Sequence, residues 1–333
     1  MLTIRQNLLE TIRGGNPDRF VNQFEFLYTI PASHPITTRS TPFAMGGPKV
    51  QNLWGVWMEW RDGQIGPFPI HDDEHIILKD ISKWREVIKM PDLKSITEGD
   101  WEQAIKASEA VDRKEVFACA GGPTGVWDQL HYFQGMSLAL ENMLLEPEYT
   151  KELCEYLTEY ELLYAEGLCK YVKPDALFHH DDWGAQKSTF FSPEMFEQFF
   201  LPAYKQIYGY YKSHGVELVV HHADSYAATL VPFMIECQID IFQGCLTSNN
   251  VPELVKKYGK KISFMGDINS GVLDKPDWEA DRPLFRKEVE RACRTNGKHY
   301  YIPCLTRGGP GSNIPGVYEL VSEEIDKMSK EMF

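Results

Sequence analysis

Residues 174–226 read PDALFHHDDWGAQKSTFFSPEMFEQFFLPAYKQIYGYYKSHGVELVVHHADSY, and the fold turns on how this stretch divides. It opens on a short apolar run, "DALFHHDD" (175–182), and closes on another, "VELVVHHA" (216–223). Between them "SPEMFEQFFLPAYKQIYGYYKSHG" has a helical period, with Ser192 as N-cap, Pro193 as the first helical residue and Gly215 as the stop. Strand, helix, strand is a βαβ unit, and such units make parallel sheets.

The same rhythm extends in both directions. "EVFACAGG" (115–122), "IDIFQGC" (239–245), "KISFMGDI" (261–268) and "HYYIPCL" (299–305) are further short runs, and "FEFLYT" (24–29) makes a seventh. They are apolar on both faces, as strands covered on both sides must be. The aromatic stretch "LWGVWMEWRDGQIGPFP" (53–69) reads as a hairpin turning at Asp62-Gly63. The expectation is an α/β fold in which residues 1–333 form a single (β/α)8 TIM-type barrel with an N-terminal extension and a β-hairpin. A doubly wound open sheet is the rival, but no GxGxxG follows an early strand.

Composition excludes several classes. A net charge of −14 over 333 residues opposes a nucleic-acid partner, whose phosphates need a basic face. No run is apolar enough for a membrane span. The first residues are amphipathic, carry Glu10 and Asp18, and lack the apolar core of a signal peptide. Seven scattered cysteines without a CxxC pair indicate free thiols, so a reducing cytoplasm is the expected compartment.

In a barrel of this kind chemistry sits at the C-terminal strand ends. Those ends carry Cys119, the run His179-His180-Asp181-Asp182, the run His221-His222-Ala223-Asp224, Gln243 and Cys245, Asp267 and Asn269, and then Cys304 and Arg307. Burying so many imidazoles and carboxylates is costly unless they are paired or bind a metal, so the pattern indicates a central pocket. Any one buried histidine is more often a hydrogen-bonded core residue than a ligand. His222-x-Asp224 is the stronger signal, because alternate residues of an extended segment point the same way. On that logic His222 faces the pocket and His221 turns toward the helices. The glycine-rich "TRGGPGSNIPG" (306–316) lacks a P-loop's Lys-Ser/Thr and reads as a polar loop over the barrel mouth.

The quoted stretch resembles the middle of the uroporphyrinogen decarboxylase superfamily, whose relatives include methyltransferases serving corrinoid proteins. The matching frame is Asp-Asp-x-Gly after a strand, a helix opening Ser-Pro-Glu-x-Phe, an internal Pro-x-Tyr-Lys, and His-Gly before the next His-bearing strand. "GGPTGVWDQLHYFQGMSLALENMLLEPE" and "FQGCLTSNNVPELVKKYGKKISFMGDI" are similar to the flanking units, so the likeness spans roughly residues 110–320. The decarboxylases' Arg-Gln-Ala-Gly motif is missing from "PDRFVNQFEFLYTIP". The corrinoid methyltransferases' zinc motif, His-x-Cys-Gly, becomes His222-x-Asp224-Ser225 here.

The resemblance therefore implies a methyltransferase passing a methyl group between a small methylated compound, such as a methoxylated aromatic, and a corrinoid (cobalamin-binding) protein. The implied zinc ligands are His222, Asp224 and Cys304, with His221 or Cys245 as substitutes or a fourth. A carboxylate in place of a thiolate hardens the ion and suits an oxygen substrate, hence O-demethylation. His180 and Asp182, with Asp181 beside them, are the candidate catalytic groups. Trp183, Gln243, Asp267, Asn269 and Arg307 are the candidate substrate contacts. Two alternatives stay open: a metal-independent decarboxylase-like lyase acting on a small carboxylate, and a non-catalytic ligand-binding barrel.

Overall fold

A computed structural model describes residues 1–64, 66–269, 282–305 and 316–333. Ten strands occur among them. β1 is Leu27–Thr29, and three short strands follow: β2 (Val50–Gln51), β3 (Trp57–Glu59) and β4 (Phe68–Pro69). The long series is β5 (Phe117–Thr124), β6 (Ala176–His180), β7 (Leu218–His222), β8 (Ile241–Cys245), β9 (Ser263–Ile268) and β10 (Tyr301–Leu305). β1 and β5 to β10 form one curled sheet in the order β1-β5-β6-β7-β8-β9-β10, with every neighbouring pair parallel. This is the TIM-type α/β barrel expected, with seven of its strands among the described residues. Gln23 draws the two sheet edges together. Its side-chain oxygen accepts from the Leu305 amide at the end of β10, and its amide donates to Tyr318 and Ser322 on the last helix.

Strand alternation sorts the core into two layers. Phe117, Cys119, Ala176, Val220, Ile241 and Met265 point inward and fill the barrel, together with Ile302 and Cys304. Ala118, Leu177, Val219, Phe242 and Phe264 point outward against the helices. The helix Leu201–Ser213 covers β6 and β7 with Tyr204, Ile207, Tyr208 and Tyr211, all fully buried, so its aromatic stripe is packing. Burial of each such side chain contributes roughly 1.5–3 kcal/mol.

The N-terminal end of the barrel is plugged by the first helix, Ile4–Arg13. A Thr3/Gln6 capping box starts it, Gly14 ends it at φ 68°, and Leu8 enters the interior cluster. Arg5 lies over the Phe117 ring and pairs with Asp175 and Glu217, which precede β6 and β7. The opposite end is roofed by the small antiparallel sheet β2-β3-β4. Its second hairpin turns through Arg61–Gln64 with Gly63 at φ 81°, the conformation glycine tolerates best. No described helix is long and apolar enough to cross a membrane. All seven cysteines are free.

Candidate active site at the barrel mouth

β6 and β7 each end in a histidine doublet, and their register sets His179 beside His221 and His180 beside His222. Successive side chains on a strand point to opposite faces, so each doublet is split. His180 and His222 turn into a pocket of about 620 Å³ at the mouth, also lined by Asp182, Asp224, Asp128 and His131. His179 and His221 turn out into the helix layer, and both are fully buried.

Inside, the His180 and His222 rings stack with centroids 4.6 Å apart. His180 Nδ1 lies 3.1 Å from an Asp128 oxygen, and its Nε2 lies 3.8 Å from Asp182. His222 Nδ1 is hydrogen-bonded to the Gln243 side-chain oxygen, which Gln243 directs inward from the next strand. A ring nitrogen facing a carboxylate or amide oxygen carries the proton, so both imidazoles present Nε2 to the pocket. Among the described residues His180, Asp182 and His222 bring one ligand atom each to within 4.8 Å of one another, the spacing of a metal-binding group.

Asp128 sits on the helix Val126–Gln134 and also bonds His131 at 3.1 Å. Burial works against its ionised form, but the two histidine hydrogen bonds prevail and hold the carboxyl far below the usual range. Burial likewise opposes a charged His180, yet the Asp128 hydrogen bond and the charges of Asp128, Asp182 and Asp181 push it up to about 9. Burial and then the neighbouring His180 charge press His222 down to about 4, and burial raises Asp182 to about 6. One imidazole is thus cationic at neutral pH and its stacked partner neutral.

Outside, a fully buried chain runs from Glu161 to His179 Nε2 (3.0 Å), from His179 Nδ1 to the Tyr208 hydroxyl (2.8 Å), and on to His221 Nδ1 (2.8 Å). Trp183 lies over His221 with ring centroids 4.0 Å apart. Asp181 accepts the amides of Trp127 and Asp128, the Trp183 indole and the Tyr204 hydroxyl, so it caps the helix that carries Asp128. Burial, then the Asp128 charge, raises it to about 7.

Residues 68–311 match the uroporphyrinogen decarboxylase (URO-D) family. The chain belongs to that family. The URO-D chain also shares its fold with the solved structure of a methyltransferase from Methanosarcina mazei, at a TM-score of 0.64 and 11% identity, covering 98% of this chain and 99% of that one. At that identity the likeness speaks for the fold alone. No curated protein matches the chain.

Within this URO-D barrel several expected site residues lie elsewhere. Cys304 is packed inside the barrel with Met265 and Ile302, three strands round from β7, and burial drives its thiol pKa up; it is not part of the ligand group. Cys245 is turned into the outer layer by a register shift at Gly244, whose φ is 92°. His221 faces the helices, and Trp183 and Asp181 are buried behind the pocket wall. Asp267 follows Gly266 (φ 143°) and itself has φ 61°, which breaks the alternation and sends its carboxylate to Arg291 and Asn296. Asn269 joins that outer cluster through Glu288. Arg307 and most of the 306–316 loop lie outside the described residues. Asp224 lines the pocket, and its backbone amide donates to Asp182 of the triad at 2.9 Å.

The site also contains residues that sequence reading passed over. Asp128 and His131 form an i, i+3 pair in "VWDQLHYF", a signal legible in principle. His71 and Tyr132 also line the pocket. His71 arrives just after the hairpin strand β4, and nothing in its local sequence marks it.

Proposed function

We propose that the chain is a methyltransferase component that passes a methyl group between a methoxylated aromatic compound and the corrinoid of a separate cobalamin-binding protein. The observation that carries this reading is the triad His180, Asp182 and His222, with both imidazoles fixed through Nδ1 by Asp128 and Gln243. Membership of the URO-D family and the fold shared with a methyltransferase support it. Such Nδ1 partners orient metal-binding histidines and raise their basicity. Two imidazoles and one carboxylate suit zinc with coordination positions left open, and zinc held there supplies Lewis-acid polarisation of the substrate oxygen.

The chemistry needs positive charge at one point. When the methyl–oxygen bond breaks, the bonding pair stays on oxygen, and a reduced corrinoid would supply the pair for the new bond to carbon. In the metal-free protein the charge is an imidazolium at His180, whose Nδ1 faces Asp128 and whose Nε2 faces Asp182; zinc held by the triad would take the place of the Nε2 proton and supply the positive charge. The departing phenolate would be stabilised by that charge and take its proton from solvent, while Asp128 and Gln243 hold the two imidazoles in place through Nδ1. The acidic lining of Asp128, Asp182 and Asp224 repels a carboxylate substrate, which disfavours the lyase reading. A reduced corrinoid partner requires a reducing compartment, in keeping with a cytoplasmic enzyme.

The test is direct. Zinc-loaded protein with reduced cobalamin and 1,2-dimethoxybenzene should yield methylcobalamin and 2-methoxyphenol, followed by absorbance and chromatography. Folded, metal-loaded protein that transfers no methyl group from any methoxylated aromatic would count against the proposal.

A further inference from the structure

A second chamber of about 390 Å³ adjoins the triad pocket, and Tyr132 lines both. Its walls come from the end of β5, from the N-terminal extension and roof, and from the helices that carry Gln129, Tyr160 and Tyr164. The two spaces differ in kind. Among the described residues four histidines and three aspartates line the first, whereas no carboxylate, ammonium, guanidinium or imidazole lines the second. Trp54 meets Tyr160 edge-on at 4.8 Å between centroids, so the walls present flat aromatic faces. Gln129 is 2% exposed, yet its side-chain Nε2 has no hydrogen-bond partner.

A buried amide donor without a partner is an unusual feature that a ligand acceptor would satisfy. An apolar cavity of about 150 Å³ already admits benzene, so this chamber has room for a substituted ring. The absence of charge means the occupant is neutral, since a carboxylate or ammonium would lose its hydration with nothing to replace it.

We infer that this chamber binds a neutral, oxygen-substituted benzene ring, with Gln129 Nε2 donating to a ring oxygen and the reacting methoxy group directed past Tyr132 toward the triad. The identity of the reacting group rests on the proposed function; the binding of the ring does not. The two chambers then divide the substrate, the neutral one selecting the ring and the charged one acting on the methyl–oxygen bond.

Titration calorimetry on the metal-free protein without corrinoid separates the two claims. 1,2-Dimethoxybenzene should bind, and 3,4-dimethoxybenzoate should bind at least about tenfold more weakly because its charge is stranded. Gln129→Leu should weaken dimethoxybenzene about tenfold and leave ethylbenzene, which offers no oxygen, unchanged. Ser40→Trp, which fills the chamber from the N-terminal extension, should abolish binding of both, and thermal melts should show both variants folded. His222→Gln should leave ring binding intact. Undiminished dimethoxybenzene binding in Gln129→Leu and Ser40→Trp, or no ring binding by the wild type, would overturn the inference. Chamber-dependent binding without methyl transfer would uphold the chamber while removing the transfer reaction.

Discussion

The two faces of β6 and β7 carry the same residues and do different work. Inward, His180 and His222 stack at the pocket with one cationic and one neutral ring. Outward, His179 and His221 share the Tyr208 hydroxyl inside a sealed layer that ends on Glu161. Chemistry at the first pair depends on ring nitrogens left open to a ligand; at the second pair the hydrogen bonds tie two strands to the two helices that carry Glu161 and Tyr208. Residue type alone therefore does not mark a site. The parity of the strand does.

That contrast can be broken by substitution. His222→Gln should cost at least about 100-fold in methyl transfer and shift the melting temperature little, read from turnover and a thermal melt. Asp128→Asn should lower metal affinity by about 10–100-fold, measured with a competing chelator, because it removes the carboxylate that orients His180. The same change should bring the His180 pKa down from about 9 toward its ordinary value, visible by NMR titration. On the outer face, His179→Gln should cost about 3 kcal/mol in denaturant unfolding, since Glu161 loses its buried partner. His221→Gln should cost less, about 1–2 kcal/mol, through the Tyr208 hydrogen bond. Both outer variants should retain turnover at permissive temperature. Loss of activity in folded His221→Gln, with His222→Gln tolerated, would invert the assignment of faces.

A smaller effect appears with pH. The folded pKa of His180 lies above the unfolded one, so the stability it lends the metal-free protein is complete below about 6.5 and is lost as pH rises through about 9. The stability difference between wild type and His180→Gln should therefore shrink over that window in denaturant titrations. Metal must displace the same proton, so zinc affinity should rise about tenfold per pH unit up to about 9.

The sequence made the βαβ rhythm, the hairpin and the inward setting of His222 legible, because strand periodicity is a local property. It did not reveal Cys245 and Asp267 turning outward. A register shift at Gly244 and positive φ values at Gly266 and Asp267 reverse the alternation there, and a glycine in a run does not state which way the chain will bend. Cys304 illustrates a different limit. Its inward parity is correct, but the barrel interior is packed with side chains, so facing inward is not the same as reaching the mouth. Asp128 needed tertiary structure, since its helix is brought to β6 by the cap that Asp181 provides.

The roof strands, confined to residues 50–69, touch the chemistry without being built into the barrel sheet. Trp54 and Met58 face the neutral chamber, and Phe68 and Pro69 face the charged one. One wall of each pocket is thus supplied by a contiguous stretch of about twenty residues, separable from the strands that carry His180 and His222. Exchanging that stretch between relatives would reshape that wall as a cassette, leaving the triad and the barrel sheet where they are.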